Sequence, residues 1–311
     1  MSFTLLITGA TGFIGQALVA RHLRGGGQVI ALSRDATRAQ QLLGPKVQVV
    51  SRLAELPNSA PVDACVHLAG ARVIGPPWTP ARRALLVQSR HDVAMELQAL
   101  LQRLQVRPRV LVQASAIGYY GNPAQPPASP LDESGPPQSG QFQSDLCVGI
   151  ERDALGAEAL GLRVVCLRFG VVLGRGDGAY PAQALAARLG LGAVLGSGRQ
   201  AMAWLHLDDA VGLIQHALAS PDLHGPVNAV APEGCTQAEF TRALAASFGR
   251  RAWLRVPAGA LRLAMGEMSE LLLGGVPMVP AAALGSGYRF RYPQLEGALA
   301  ALASGPKQAP G

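Results

Sequence analysis

The chain has 311 residues, of which 49% are apolar and 15% charged, and it carries a formal net charge of +7. This composition supports a sizeable core and excludes wholesale disorder, and no apolar run is long enough to predict a membrane span. Only two of the 27 basic residues are lysines, Lys46 and Lys307, and basic runs stop at pairs, so we expect no nucleic-acid groove.

The cysteines and the N-terminus bear on the compartment. Cys65, Cys147, Cys166 and Cys235 are far apart and form no metal-type pair. The apolar start of the chain lacks a basic leader and is rich in glycine, which indicates a strand and turn rather than a signal peptide. We therefore expect reduced thiols, no metal site, no membrane attachment and a cytoplasmic location.

The first half of the chain alternates strand-like and helix-like segments, which predicts a parallel sheet with crossover helices. Near-continuous apolar runs indicate strands that are buried on both faces. A long helix is predicted from Thr79, the candidate N-cap, with Pro80 at its first position. The six predicted strands read FTLLITG, QVIALSR, VQVV, DACVHLAG, RVLVQAS and LRVVCLRFG.

The segment after the fifth predicted strand differs in composition from the residues before it. Residues 119–145 are too rich in Pro, Gly and Ser for regular structure, and the length of this segment suggests an active-site loop. We predict an α/β fold, a Rossmann doubly wound parallel sheet with a smaller C-terminal substrate lobe. The predicted divisions are a nucleotide-binding domain over 1–170 with returns near 205–230, a lobe over 171–302 and a disordered tail over 303–311.

The segment TGATGFIG directly follows the first strand and opens a helix. Glycine is required where a turn needs unusual dihedral angles and where backbone approaches a pyrophosphate closely, and the helix then directs its unpaired amides at that group. The pattern predicts a dinucleotide site, and glycine-rich packing without a ligand is the alternative. The candidate contacts here are Gly9, Thr11, Gly12, Phe13, Ile14 and Gly15.

The end of the second strand bears on which dinucleotide binds. The sequence there places Ser33 and Arg34 before Asp35. A hydroxyl and a planar guanidinium suit the 2′-phosphate of NADP(H), and Arg38 adds charge one helical turn later. Asp35 is the counter-evidence, because a carboxylate at this place suits the ribose hydroxyl of NAD. We predict NADP(H).

Several motifs resemble the extended short-chain dehydrogenase/reductases: TGATGFIG, HLAG, the serine-tyrosine loop after strand five, LRFGVVLG and WLHLDDAV. More narrowly, SAIGYYG, GPVNAVAPE and a C-terminal segment from about Val256 resemble an atypical branch labelled epimerase-family or cell-division-inhibitor-like proteins. The resemblance implies a Rossmann domain, a substrate lobe and two further loops close to the cofactor. Those loops add the candidate contacts Leu68, Ala69, Gly70, Arg72, Gly170 and Val171.

Active members of that superfamily use a tyrosine as acid or base, a lysine four residues later that lowers the tyrosine pKa, and a serine that holds the substrate oxygen. This chain has no YxxxK anywhere, and the corresponding helix carries Cys147 and Glu151 instead. The candidate catalytic residues are therefore Ser115, Tyr119 and Tyr120, with Cys147 and Asp145 as substitutes on the helix.

Each candidate also has a structural alternative. Ser115 could bond the loop backbone, and Tyr119 and Tyr120 could simply pack the cleft. His206 is expected to pack or to cap a helix, with proton transfer as the alternative. Arg168 is expected to join an ion pair, and Arg199, Trp78 and Trp204 either to line a pocket or to pack.

Two functions stay open on this basis. The first is an NADP(H)-dependent oxidoreductase or epimerase acting on a carbonyl or sugar-nucleotide-like small molecule. The second is a catalytically silent NADP(H)-sensing protein. A homodimer is a candidate assembly for either.

Overall fold

The computed structural model describes residues 3–125 and 127–305. Over these residues the strands are β1 Thr4–Thr8, β2 Gln28–Leu32, β3 Val47–Val50, β4 Ala64–His67, β5 Val110–Ala116, β6 Arg163–Phe169, β7 Val171–Leu173, β8 Ala193–Leu195, β9 Ala201–Met202, β10 Trp204–His206, β11 Gly225–Ala229, β12 Cys235–Thr236 and β13 Leu254–Val256. The helices are α1 Phe13–Arg24, α2 Ala36–Leu43, α3 Pro80–Arg103, α4 Phe142–Leu155, α5 Tyr180–Arg188, α6 Leu207–Ala219, α7 Gln237–Ala246, α8 Ala258–Met265, α9 Glu270–Leu273, α10 Ala281–Gly285 and α11 Leu295–Ser304.

The centre of the molecule is a seven-stranded sheet in the order β11-β6-β5-β4-β1-β2-β3. All six neighbouring pairs are parallel. The six strands predicted from apolar runs are all present, and the order reverses between β1 and β4, as in a doubly wound sheet. The predicted fold class is confirmed.

Both faces of the sheet are covered, and alternation along β1 shows how. Leu5 and Ile7 belong to a core on one face that includes Leu18 of α1 and Leu213 of α6. Leu6, between them in sequence, packs on the other face in a core that includes α3 and the short 3-10 segments Leu53–Glu55 and Gly156–Leu160. Burial on both faces explains why the strands read as unbroken apolar runs instead of alternating ones.

Two predicted helix starts are confirmed by their caps. The Thr79 side chain accepts a hydrogen bond from the amide of Arg82, with Pro80 at the first position of α3. The His206 ring accepts from the amide of Asp208 at the start of α6, so the expected capping role of His206 is confirmed. Each cap satisfies an amide that has no partner within the helix.

The C-terminal half builds three two-stranded sheets, pairing β7 with β10, β8 with β13 and β9 with β12. Helices α5, α7 and α11 pack around a core that contains Trp204 and Phe240. The predicted return of chain to the main sheet is seen in α6 and β11, while the division into domains stays a prediction. Helix α11 runs to Ser304, inside the segment expected as a tail, and residues 306–311 of that segment lie outside the described residues.

Across residues 3–125 and 127–305, no helix combines the length and the hydropathy that crossing a bilayer requires.

Candidate functional site

The glycine corner after β1 is shaped by two close approaches. Gly9 has a φ of +74°, and a Cβ there would lie 2.7 Å from the amide nitrogen of Ala69 and from the carbonyl carbon of Leu68. A Cβ on Gly15 would collide with the carbonyl oxygen of Gly9, and Gly12 donates to that same oxygen at 3.0 Å. The corner is therefore pressed against the loop after β4 and against its own helix, and a side chain at either position would fill that space.

The N-terminus of α1 presents backbone amides that have no hydrogen-bond acceptor in the described structure. Gly12 is its N-cap and supplies no side-chain hydrogen bond. Within the described part of the chain, no acceptor contacts the amides of Phe13 and Ile14. Such amides, together with the positive end of the helix dipole, suit a pyrophosphate, so the residues present fit a dinucleotide at this corner.

At the end of β2, Asp35 has a hydrogen-bond partner within the described part of the protein and Arg34 does not. Oδ1 of Asp35 accepts from the amide of Arg38 at 2.9 Å, which makes Asp35 the N-cap of α2. Ser33 donates its hydroxyl to the carbonyl of Asp35 at 3.1 Å. Arg34 is exposed, and its guanidinium has no partner among the residues that the structure describes. The carboxylate thus has a structural task, while the guanidinium remains available to an anion.

The loops after β4 and β6 flank this corner. Leu68, Ala69 and Gly70 follow β4, and Gly70 lies against the Arg90 guanidinium, which donates to the carbonyls of Ala71 and Leu86 at 2.9 and 2.8 Å. Arg90 is therefore structural.

Gly170, after β6, is packed so that a Cβ would lie 2.7 Å from the carbonyl oxygen of Ala203, and Val171 opens β7. The carboxyl ends of β1, β2, β4 and β6 thus bring all the predicted cofactor contacts to one edge of the sheet.

Arg72 joins the two flanking loops. Its guanidinium is ion-paired with Asp177, which lies on the loop after β7, and both side chains are exposed. The ring of Phe13 contacts the positions of Gly174 and Gly178 on that same loop. The loop after β7 therefore lies against the start of α1, and Arg72 fastens it to the loop after β4.

Ser115 and Glu151 are hydrogen-bonded inside the protein. The hydroxyl of Ser115 donates to Oε1 of Glu151 at 2.7 Å, and both residues are buried. Arg168 donates to both carboxylate oxygens through Nε and Nη2, each at 2.8 Å. The expectation that Arg168 belongs to an ion pair is confirmed, and Glu151 of α4 is its partner.

The two tyrosines lie in different surroundings. Tyr120 is buried, donates to Oδ1 of Asn228 at 2.7 Å and accepts from Nη1 of Arg168 at 2.8 Å. Burial raises the pKa of its phenol. These bonds favour the packing alternative for Tyr120, since its hydroxyl already has a donor and an acceptor. Tyr119 is half-buried, and the Arg168 guanidinium carbon lies 3.4 Å from its ring centroid.

The two helix substitutes are placed differently. The Cys147 thiol lies beside Ser115 and the backbone of Ala116, and burial, followed by the charge of Glu151, raises its pKa to about 11. It is therefore a protonated thiol at neutral pH and not a nucleophile. Asp145 is exposed and accepts from the amide of Gly140 at 3.3 Å.

Sequence reasoning did not identify the partners that complete this network. Glu133 accepts from the amides of Asn228 and Ala282 at 2.9 and 3.1 Å. Because these contacts join residues 95 and 149 positions apart along the chain, no local sequence pattern predicts them.

A cavity of about 770 Å³ lies between the C-terminal half and the loop after β5. Arg199 lines this cavity, which was one of its two expected roles. Trp204 instead packs in the core, where it is buried and donates to the carbonyl of Glu233 at 3.1 Å. Trp78 packs in a separate cluster with Leu86 and Leu146. Over the described ranges, no group of three or more His, Cys, Asp or Glu side chains could hold a metal ion.

Comparison with family models gives two matches. Residues 5–230 match the NAD dependent epimerase/dehydratase family, and residues 256–302 match a domain of unknown function, DUF1731. The chain is 35% identical over 302 residues to the epimerase family protein YfhF of Bacillus subtilis, covering 96% of this chain and 97% of that protein. It is 34% identical over 301 residues to the human epimerase family protein SDR39U1, covering 95% and 98%.

Solved structures agree with these matches. The crystal structure of human SDR39U1 (isoform 2) with NADPH has a TM-score of 0.86 and 32% identity, covering 97% of this chain and all of that one. The UDP-glucose 4-epimerase of Thermus thermophilus, solved with NAD, has a TM-score of 0.76 at 21% identity, covering 97% and 98%. At that identity the second likeness concerns the fold alone.

Proposed function

Because the chain belongs to the NAD dependent epimerase/dehydratase family, we infer that it binds NADP(H) at the glycine corner and carries out a redox step on a carbonyl compound. One observation carries the choice of cofactor: the guanidinium of Arg34 is exposed at the end of β2, while the carboxylate of Asp35 is engaged as a helix cap. The NADPH in the human relative supports the same choice.

Each part of the site has a task in this proposal. The amides of Phe13 and Ile14 hold the pyrophosphate, and Arg34 holds the 2′-phosphate, with Ser33 and Arg38 beside it. When bound, the cofactor supplies or accepts a hydride.

Proton transfer is assigned to Tyr119. Of the two tyrosines, Tyr119 is the one that no side-chain hydrogen bond holds in the described structure, and the Arg168 cation fixes the orientation of its ring. Ser115 and Glu151 act through Arg168, as positioning residues. This assignment keeps one tyrosine in the reaction and gives the other to the core.

A second candidate function is a catalytically silent NADP(H)-sensing protein, and one observation favours it. Ser115, Glu151 and Arg168 satisfy one another's hydrogen bonds, so the place of the serine and lysine is filled by a neutralised, buried network. A network of that kind stabilises the fold and offers a substrate no unpaired donor.

The two candidates are separated by an assay of NADPH oxidation with a panel of aldehydes and ketones. The enzyme proposal predicts turnover that falls at least tenfold in Tyr119→Phe and that survives in Tyr120→Phe after correction for lost stability. The sensor proposal predicts no turnover with any carbonyl while NADPH still raises the melting temperature. A cytoplasmic location, a homodimer and the lack of nucleic-acid binding stay predictions.

A further inference from the structure

We propose that the cavity takes an uncharged, largely apolar carbonyl compound and rejects nucleoside diphosphate sugars. The inference rests on the proposed function, because it names the substrate class of the same site. It departs from the sugar-nucleotide alternative that the family resemblance suggested.

The cavity borders Gly170, on one of the two loops that would hold the cofactor. Ala203 and Val230 line it, and the same two residues enclose Gly170, where a Cβ would lie 2.7 Å from the Ala203 oxygen and 3.1 Å from Cγ1 of Val230. Tyr119 packs against the cluster formed by Tyr120, Val230, Val276 and Met278. The assigned proton carrier therefore packs against Val230, Val276 and Met278, which also line the cavity.

The inner wall of the cavity is apolar. It is formed by Met202, Ala203, Val230, Val276, Met278 and Val279. Val276 and Met278 are buried, and Met202 is half-buried. Methionine side chains are flexible and polarizable, so a wall with two of them adapts to apolar ligands of different shape.

The charges at the cavity have the wrong balance for a diphosphate. Among the described residues that line it, three are charged: Arg199 is positive, and Glu233 and Glu239 are negative. All three are exposed, which places them at the rim. A nucleoside diphosphate brings two negative charges and requires cations or unpaired amides, so a rim of net negative charge repels it.

The N-terminus of α7, which borders the cavity, already has protein acceptors for its amides. Its first amides, of Gln237, Ala238 and Glu239, donate to the Gln200 carbonyl at 3.0 Å, the Gly198 carbonyl at 2.9 Å and the Thr236 hydroxyl at 3.2 Å. The Glu239 carboxylate in turn accepts from the Thr236 amide at 2.7 Å, and its hydrogen bonds with Thr236 lower the pKa of that carboxyl.

The α7 terminus thus carries its own anion, whereas the amides of Phe13 and Ile14 at α1 have no acceptor in the described structure. The two helix starts are therefore opposites. The amides at the start of α1 suit a phosphate, whereas those at the start of α7 are occupied and the cavity that α7 borders offers apolar surface.

The test is ligand-observed saturation-transfer NMR on the full chain loaded with NADP⁺. The probes are 2-octanone, a neutral apolar ketone, and UDP-glucose. We expect saturation transfer to 2-octanone and none to UDP-glucose. Transfer to UDP-glucose, or no transfer to 2-octanone, overturns the proposal.

A matched pair of variants tests whether 2-octanone binds in the cavity. Met202→Glu puts a charge on the apolar wall and is expected to abolish transfer to 2-octanone, whereas Met95→Glu, on the exposed side of α3, is expected to leave it unchanged. Unchanged transfer in Met202→Glu overturns the placement. NADPH fluorescence titration of both variants reports folding of the cofactor site, and the wild-type comparison of the two probes decides the substrate class even if Met202→Glu fails to fold.

The same NMR measurement without cofactor separates this proposal from the proposed function. If the chain binds neither NADPH nor NADP⁺, the proposed function fails. Selective binding of 2-octanone by the cofactor-free chain would then still support the assignment of the cavity.

Discussion

The hydroxyl of Ser115 donates to the carboxylate of Glu151 at 2.7 Å, so the serine of this site faces a buried anion. Arg168 restores the charge balance through two hydrogen bonds of 2.8 Å to the same carboxylate. The positive charge of this network therefore comes from the end of β6. The guanidinium carbon of Arg168 lies 3.4 Å from the centroid of the Tyr119 ring.

Glu151→Gln is expected to lower the free energy of unfolding by about 3–5 kcal/mol, because it leaves the buried Arg168 guanidinium without its counter-charge. Urea denaturation measures the change. Glu267→Gln breaks the exposed pair with Arg83 and serves as the control, with an expected loss of about 0–1 kcal/mol. The double variant Glu151→Leu/Arg168→Met should lose less than the two single variants together. Equal losses in Glu151→Gln and Glu267→Gln would contradict a buried network.

Gly9→Ala is expected to destabilise the protein and to weaken cofactor binding, because a Cβ at φ +74° would meet the backbone of Leu68 and Ala69. Gly26→Ala is the matched control, since Gly26 has a similar φ of +80° and no atom within 4 Å of the added Cβ. The control should cost about 1–2 kcal/mol from its dihedral angle alone and leave NADPH affinity intact. Thermal unfolding and NADPH titration measure both effects, and indistinguishable variants would show that the close approach is unimportant.

The stability of the protein should fall in mild acid because of His67. Burial, with the charge of Arg90 acting in the same direction, lowers the pKa of this histidine from 6.5 to about 4. The unfolded chain therefore binds a proton that the folded chain does not, and stability present above pH 6.5 is lost as the pH falls toward 4. The loss from this group is up to about 3 kcal/mol.

His67→Asn should flatten the pH dependence of urea denaturation between pH 6.5 and 4. Some dependence remains, because burial also lowers the pKa of His206. The exposed His224→Asn is the control and should keep the wild-type dependence. A His67→Asn profile parallel to wild type would show that His67 is not the titrating group.

Asp177→Asn is expected to speed the release of NADPH several-fold with little change in stability. The ion pair with Arg72 joins the loops on either side of the glycine corner, so breaking it loosens both, while an exposed pair contributes only about 0–1 kcal/mol to folding. Stopped-flow displacement of NADPH measures the rate. Glu270→Gln, which breaks the exposed pair with Arg262, should leave the rate unchanged. An unaltered rate in Asp177→Asn would separate this ion pair from cofactor exchange.

The parts of the molecule that sequence predicted are those set by short-range rules. The apolar runs of the sheet, the glycine corner and the caps at Thr79 and His206 each depend on a few consecutive residues and on fixed backbone geometry. The role of Asp35 was the ambiguous case. Its sequence position fits a ribose contact, and only the structure shows the carboxylate turned to the amide of Arg38.

The hydrogen bonds of the candidate catalytic region could not be predicted from the sequence. Ser115, Glu151 and Arg168 come from β5, α4 and β6, and their hydrogen bonds exist only once these elements are packed. Tyr119 and Tyr120 are adjacent in sequence and were equivalent candidates. Packing separates them, since Tyr120 is buried against Asn228 while Tyr119 is only half-buried.

The central claim is that Arg34 makes the glycine corner a site for the phosphorylated dinucleotide. Titration calorimetry of the full chain with NADPH and NADH tests it most directly, with Arg34→Ala compared against Arg251→Ala at an exposed site elsewhere. We predict that wild type and Arg251→Ala bind NADPH at least about tenfold more tightly than NADH, and that this preference disappears in Arg34→Ala. Equal affinity of the wild type for the two cofactors, or no heat from either, would contradict the claim.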